Sequence, residues 1–462
     1  MKYISTRGGI EPVAFSDALM MGMARDGGLL LPSEVPNVSD QLAQWSKLSY
    51  ADLAFEIIRL YADLPEDDLR NLIKKSYSTF RHNEVTPLTT VNDLSILELF
   101  HGPTLAFKDI ALQLLGNLFE YILTEKNAKL NILAATSGDT GSAAIHGVKG
   151  RDGIKIFVMH PKGRISQIQE RQMTTVLDDN VFNIAIEGTF DHCQQIMKTI
   201  FNDLEFKDRF SLGAVNSINW ARLLAQIVYY FYAALQVMRN SGADSVNFSV
   251  PTGNFGDIFA GYLAVKMGLP VSRLVLATNE NDILSRFYNS GIYRLGEVHA
   301  TFSPSMDIQV ASNFERYLYY RAGENPERLK ELMEEFSRSG QLKVEPLADG
   351  RIDDKIVAGS GNNEATLATI REFYEKHGYL LDPHTAVGVC VSREYQDENK
   401  PMICLATAHP AKFNKAIKEA TGKDLDLAHH TVIDGLKDMP TRCDELPALV
   451  PAVREYIQEK LS

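Results

Sequence analysis

The sequence lacks the features that mark several large classes of protein. Four cysteines occur in 462 residues: Cys193, Cys390, Cys404 and Cys443. None belongs to a CxxC pair, so neither a zinc ribbon nor a disulfide framework is indicated, and a reducing compartment fits. HExxH is absent, and His101, His146, His384 and the His429–His430 pair have no metal-ligand spacing, so no metal is expected. No Gly-Lys-Ser/Thr follows a glycine loop, and no good GxGxxG occurs, which leaves out the usual triphosphate and dinucleotide motifs. No basic run offsets the net charge of -12, from 47 basic and 59 acidic residues. Nucleic acid and anionic membranes are therefore poor partners. The most apolar stretch, Leu223 to Met238, is interrupted by Gln226 and Gln236 and is too short to span a bilayer. Met1 to Pro12 carries Arg7, Gly8, Gly9 and Glu11 without an apolar core, unlike a signal peptide. The expectation is a cytoplasmic protein, monomeric or a small homo-oligomer, with a small-molecule partner.

What is present is an alternation of strands and helices. The length allows about three domains at roughly 150 residues each. Residues 1–88 read as a separate helical N-terminal domain, with helices near Phe15, over Tyr50 to Tyr61 and over Glu66 to Tyr77. Apolar, β-branched runs then recur at Ser95 to Leu99, Leu130 to Ala135, Ile154 to Met159, Val181 to Ile186, Val246 to Val250, Leu274 to Ala277 and Met402 to Ala406. Helical patterns lie between them. Continuously apolar strands separated by helices predict parallel sheets covered on both faces. The fold class is α/β, with two sheets in two lobes formed by 89–284 and 376–462. Residues 285–375 break the rhythm and read as an inserted helical region.

Five short stretches carry candidate chemistry. His101 to Asp109 delivers Lys108 to the start of a helical run, Ile110 to Leu123, with Thr104 or Asp109 as candidate cap. An ammonium at that end of a helix is disfavoured, and a lysine that deprotonates easily suits imine chemistry. Ser137, Gly138, Asp139 and Thr140 follow a strand and open a helix, a geometry that gathers N–H groups and hydroxyls on an anion. Gly253, Asn254, Phe255, Gly256 and Asp257 do the same after Val246 to Val250. Asn216, Ser217 and Arg222 open the greasy helix, where Arg222 is a natural partner for a phosphate dianion. Thr407 follows the last strand, with His409 nearby. Each stretch alone also reads as a capped turn, and His409 as a structural histidine.

In this order the stretches resemble the fold-type II pyridoxal-phosphate enzymes. More closely, the chain is similar to the longer, bacterial and fungal type of threonine synthases. Further matches carry this narrower resemblance: Ser5 to Gly8, Asp26 to Leu29 with Pro32, Ser303 to Ile308, Ser312 to Arg316 and Asp382 to Gly388. The resemblance implies a two-lobed, tryptophan synthase β-like fold with pyridoxal 5'-phosphate as cofactor. Lys108 would hold it as the internal aldimine, Gly253 to Asp257 would form the cofactor phosphate loop, and Thr407 would face the pyridine nitrogen. Ser137 to Thr140 would grip the substrate carboxylate. Asp139 stands where many relatives have Asn, and is expected to point away from that carboxylate. Asn216, Ser217 and Arg222 would form the substrate-phosphate site. The implied reaction converts O-phospho-L-homoserine and water to L-threonine and phosphate. A phospholyase or dehydratase giving 2-oxobutyrate on the same fold is the alternative, and a non-catalytic metabolite sensor is a more distant one.

Overall fold

The computed structural model describes residues 1–422 and 427–462. Its strands in chain order are β1 Tyr3–Ser5, β2 Leu30–Pro32, β3 Leu88–Val91, β4 Leu94–Glu98, β5 Leu130–Ala135, β6 Ile154–Pro161, β7 Val181–Glu187, β8 Leu212–Gly213, β9 Val246–Pro251, β10 Val271–Thr278, β11 Ile292–Arg294, β12 Gln341–Lys343, β13 Ile356–Ser360, β14 Met402–Ala406 and β15 Asp444–Pro447. The larger sheet has the order β13-β10-β9-β14-β4-β3, and the smaller β15-β7-β6-β5-β8. All pairings in both are parallel except that of the edge strand β3 with β4. Parallel strands need helical crossovers on both faces. This agrees with the alternation in the sequence, and β9 is buried at every position. All seven expected strands are present, and the two sheets form two lobes.

Two regions are built into the rest of the molecule. Residues 1–88 do hold the expected helices Phe15–Met21, Tyr50–Ile58 and Glu66–Tyr77. They also hold the antiparallel pair β1–β2, and they are not separate. The helix Trp220–Ser241 is apolar around most of its circumference and cannot face water. The N-terminal residues cover it: Trp45 packs on Phe231 with ring centroids 5.7 Å apart, and Tyr3 and Tyr61 pack on Trp220 at 5.8 and 5.7 Å. One continuous apolar core therefore runs from Tyr3 to Leu405. Residues 285–375 contain the helices Phe314–Arg321 and Pro326–Ser339. They also supply the pair β11–β12 and the strand β13, which closes the edge of the larger sheet. Among the described residues no helix is long and apolar enough to cross a membrane.

Candidate active site

The turn before Lys108 is held by its own side chains. Gly102 is required there, because a Cβ would lie 2.4 Å from Asp109 Cβ. Leu105 is left-handed, with φ of +61°, an uncommon and costly conformation for a branched residue. The strain is over-determined by backbone pairing. His409 N–H donates to Leu105 O at 3.0 Å, and Phe107 N–H donates to Thr407 O at 2.8 Å. The Lys108 turn and the Thr407 stretch are thus fastened side by side. The helix starts at Lys108, as expected, but neither expected cap acts as one. Asp109 turns back and accepts from Thr104 N–H and Thr104 Oγ1, both at 2.7 Å, so this pair closes the turn instead. Burial brings the Lys108 amine down to about 8. The expected cause was the helix end. Desolvation is the larger cause.

The loop after β5 is organised by Thr136, whose hydroxyl accepts from Gly138 N–H at 3.0 Å and Gly141 N–H at 2.9 Å. Ser137 is exposed and Thr140 half-buried on this loop. Asp139 was expected to point away from a substrate carboxylate. Its carboxylate is buried and turned toward two lysines, at 2.7 Å from Lys412 Nζ and 4.0 Å from Lys108 Nζ. Gln169 also donates to it at 2.9 Å. Burial alone would raise its pKa, but Lys412 and then Lys108 hold it well below the usual carboxylate range. These cations stabilise the buried carboxylate where it is.

The loop after β9 begins the helix Gly256–Lys266, with Phe255 left-handed at φ of +64° and no side chain capping the end. A Cβ on Gly253 would lie 2.7 Å from Ser305 O and 3.3 Å from Met306 Cα. The stretch Ser303 to Ile308 therefore lies directly on this loop. Asp257 was expected to lend its backbone N–H to a phosphate loop, and its side chain is held by two tyrosines. Its Oδ1 accepts from Tyr229 Oη at 2.5 Å and Tyr230 Oη at 2.9 Å, while its buried Oδ2 has no hydrogen-bond partner among the described residues. Burial raises this carboxyl to about 6, against the two tyrosine hydrogen bonds.

Ser217 sits beside that loop, and Asn216 precedes it and accepts from Ile218 N–H at 3.3 Å. Ser217 Oγ is 2.7 Å from Ser312 Oγ, which donates to Asn254 Oδ1 at 3.3 Å. Asn219 caps the Trp220–Ser241 helix through Ala221 N–H. Arg222 is buried, and its Nε and Nη1 have no hydrogen-bond partner among the described residues. A desolvated guanidinium without a counter-ion is costly, and burial pushes its pKa down. Arg222, Asp139, Lys412 and Asp109 all act electrostatically on Lys108, so the Asn216–Arg222 stretch and the Lys108 turn meet. Uncapped N–H groups, a glycine with no room for a side chain and an unpaired buried guanidinium fit a phosphorylated, anionic ligand pair.

Thr407 is buried, and its N–H donates to Thr385 Oγ1 at 3.2 Å; Thr385 Oγ1 in turn donates to Asp382. His384 receives Ser305 N–H at 3.3 Å and faces Asp382 through Nδ1 at 3.0 Å. The Thr407 wall and the Ser305 wall are thus joined through Asp382. His409 accepts from Ala411 N–H at 3.2 Å, as a structural histidine would. A cavity of about 900 Å³ opens at the cleft between the lobes, with Ser137 and Lys412 in its wall. Sequence reasoning missed Lys412, the Asp382 junction and Arg316. Their signals were weak: Asp382 and Arg316 lie in matched stretches without an evident role, and Lys412 is a lone lysine after the last expected strand.

The family description "Threonine synthase N terminus" matches residues 2–77, "Pyridoxal-phosphate dependent enzyme" residues 79–350 and "Threonine synthase, C-terminal" residues 385–457. The chain is 47% identical to the threonine synthase of Schizosaccharomyces pombe, over 96% of this chain and 95% of that one. It is 47% identical to that of Pseudomonas aeruginosa, over 99% and 98%. Among solved structures, the PLP-bound threonine synthase of Brucella melitensis is 44% identical with a TM-score of 0.94, covering 100% of this chain and 99% of that one. Yeast threonine synthase is 44% identical with a TM-score of 0.95, covering 100% and 98%.

Proposed function

The chain belongs to the threonine synthase family of pyridoxal-phosphate enzymes, and on that premise we propose which of its residues do the work. Lys108 carries pyridoxal 5'-phosphate. Gly253, Asn254, Phe255, Gly256 and the backbone of Asp257 surround the cofactor phosphate, and Thr407 stands at the ring nitrogen. Ser137, Gly138 and Thr140 receive the substrate carboxylate. Asn216, Ser217 and Arg222 receive the substrate phosphate. The observation that carries this assignment is the buried, unpartnered guanidinium of Arg222 within electrostatic reach of Lys108.

The reaction turns O-phospho-L-homoserine and water into L-threonine and phosphate. When bound, the cofactor supplies the electron sink for charge left at the substrate Cα. The Lys108 amine is placed to take the proton from Cα and next one from Cβ. Arg222 stabilises the phosphate as its bond to Cγ breaks. A proton at Cγ makes the methyl group, water adds at Cβ, and Cα regains its proton from Lys108. The position between two lobes allows the site to shut out bulk water until the addition step.

Incubation of the purified protein with O-phospho-L-homoserine and identification of the products tests the reaction. Threonine and phosphate are expected; 2-oxobutyrate and ammonia in their place would overturn it. Arg222→Ala is expected to raise KM for the phosphorylated substrate by about 10–100-fold, the value of a charge-assisted hydrogen bond, with the cofactor retained. An unchanged KM removes Arg222 from the substrate site. Gly253→Ala should instead lower cofactor affinity by roughly tenfold, since the new methyl meets backbone atoms that cannot swing aside. Equilibrium dialysis of the cofactor reads that effect.

A further inference from the structure

A second lysine, Lys412, is buried beside Lys108 and takes no part in the chemistry above. It ends the short turn Pro410–Lys412, and its side chain is fully shielded from solvent. Its ammonium donates to Asp139 Oδ1 at 2.7 Å and to Thr104 O at 2.9 Å. Lys412 follows β14 of the larger sheet, whereas Asp139 follows β5 of the smaller one. Thr104 belongs to the turn that presents Lys108. One ammonium therefore ties both lobes and the Lys108 turn together. Gln169 and Gln172 brace the same two acceptors, donating to Asp139 Oδ1 at 2.9 Å and to Thr104 O at 3.0 Å. The other carboxylate oxygen of Asp139 stands 4.0 Å from Lys108 Nζ.

This arrangement solves a problem that Asp139 creates. A lone buried carboxylate at that distance would hold Lys108 as its ammonium, and an ammonium is no nucleophile. We propose that Lys412 is a positioning residue for the reaction: it takes Asp139 as its own ion-pair partner and anchors Thr104, so that Lys108 is left with a reactive amine. The inference rests on the role given to Lys108 under Proposed function.

The charged groups facing Lys108 are Asp139 from the β5 loop, Lys412 from the β14 turn, Arg222 from the Trp220–Ser241 helix and Asp109 from its own helix. Asp109 is itself spent on Thr104. After burial, which is the largest cause of the low Lys108 pKa, Asp139 acts upward and Lys412 and Arg222 act downward. Loss of Lys412 removes a repelling cation and frees an attracting anion. Both changes favour the protonated amine. Loss of Asp139 acts in the opposite sense, and loss of both should nearly cancel.

The test strips the full-length protein of cofactor and measures the rate of pyridoxal 5'-phosphate recapture, by visible absorbance, as a function of pH. Lys412→Met is expected to move the midpoint of that profile up by about one unit and to slow capture at neutral pH about tenfold. Asp139→Asn should move the midpoint down. The double variant should return close to wild type, and Lys412→Arg should keep the wild-type midpoint. Should Lys412→Met not fold, Asp139→Asn and the charge-neutral double variant still decide the matter. Midpoints equal across the variants overturn the inference, as does a double variant that stays at the position of either single one. A wild-type protein that recaptures no cofactor defeats the role of Lys108 itself, which separates the two failures.

Discussion

Lys108→Ala should abolish the visible absorbance of the purified protein and lower turnover by at least 10³–10⁴-fold, roughly the value of a positioned acid–base group, with the loss of covalent attachment added to it. The fold should survive. Lys108 makes no close ion pair, its nearest carboxylate being 4.0 Å away, and Asp139 keeps Lys412 at 2.7 Å. Stability measured without cofactor gives an independent reading with a defined sign. The Lys108 pKa is lowered from 10.5 to about 8 in the folded chain. Between those values the unfolded chain binds the proton more tightly, so the stability of the wild type rises with pH across that window. Below it the buried ammonium is a standing cost on the order of 3 kcal/mol. Lys108→Ala has no such cost. Its advantage in urea denaturation should be largest at pH 7 and fade toward pH 10. A variant that keeps the absorbance, or whose advantage grows with pH, contradicts the assignment.

Much of this was legible in the sequence because parallel strands and turn chemistry are local signals. β5, β9 and β14 are continuous apolar runs bounded by turn residues, so their presence and their C-terminal loops could be read directly. The Gly253–Asp257 and Ser137–Thr140 loops were legible for the same reason. The rest depends on groups far apart in the chain. Sequence gives the residue type at 139 but not the two cations around it, which come from positions 108 and 412. It shows Asp257 at a helix start, but not that Tyr229 and Tyr230 turn its carboxylate away. The strands β8 and β15 are short, and β15 pairs through exposed or half-exposed residues, so neither has an apolar pattern to find. The N-terminal residues looked separate because they read as helices before the strand-and-helix alternation begins. Only the three-dimensional packing shows that they cover Trp220 and Phe231.

Arg316→Leu is expected to cost roughly 3–5 kcal/mol, the range for disrupting a buried charged hydrogen-bonding group. Arg316 is 0% exposed. Its Nε and Nη2 donate to Leu30 O at 3.0 and 2.9 Å, Nη2 also to Ile218 O at 2.6 Å, and Nη1 to Asn313 Oδ1 at 2.5 Å. The oriented Asn313 then donates to Ser217 O and Asn254 O, both at 3.2 Å. One guanidinium thus joins β2, the entry to the Trp220–Ser241 helix and the loop after β9. Leucine fills part of the space but strips two buried carbonyls of a charged donor, and each orphaned acceptor costs about 1–3 kcal/mol. Lysine should recover little, because a point charge cannot fork to three acceptors. The loss should also reach the site, since Asn313 sets the spacing of Ser217 and Asn254. Urea unfolding midpoints read the stability change, and cofactor dissociation from the folded variant reads the change at the site. A loss under about 1 kcal/mol, or a lysine variant as stable as wild type, would show that β2 and the two loops are held by other contacts.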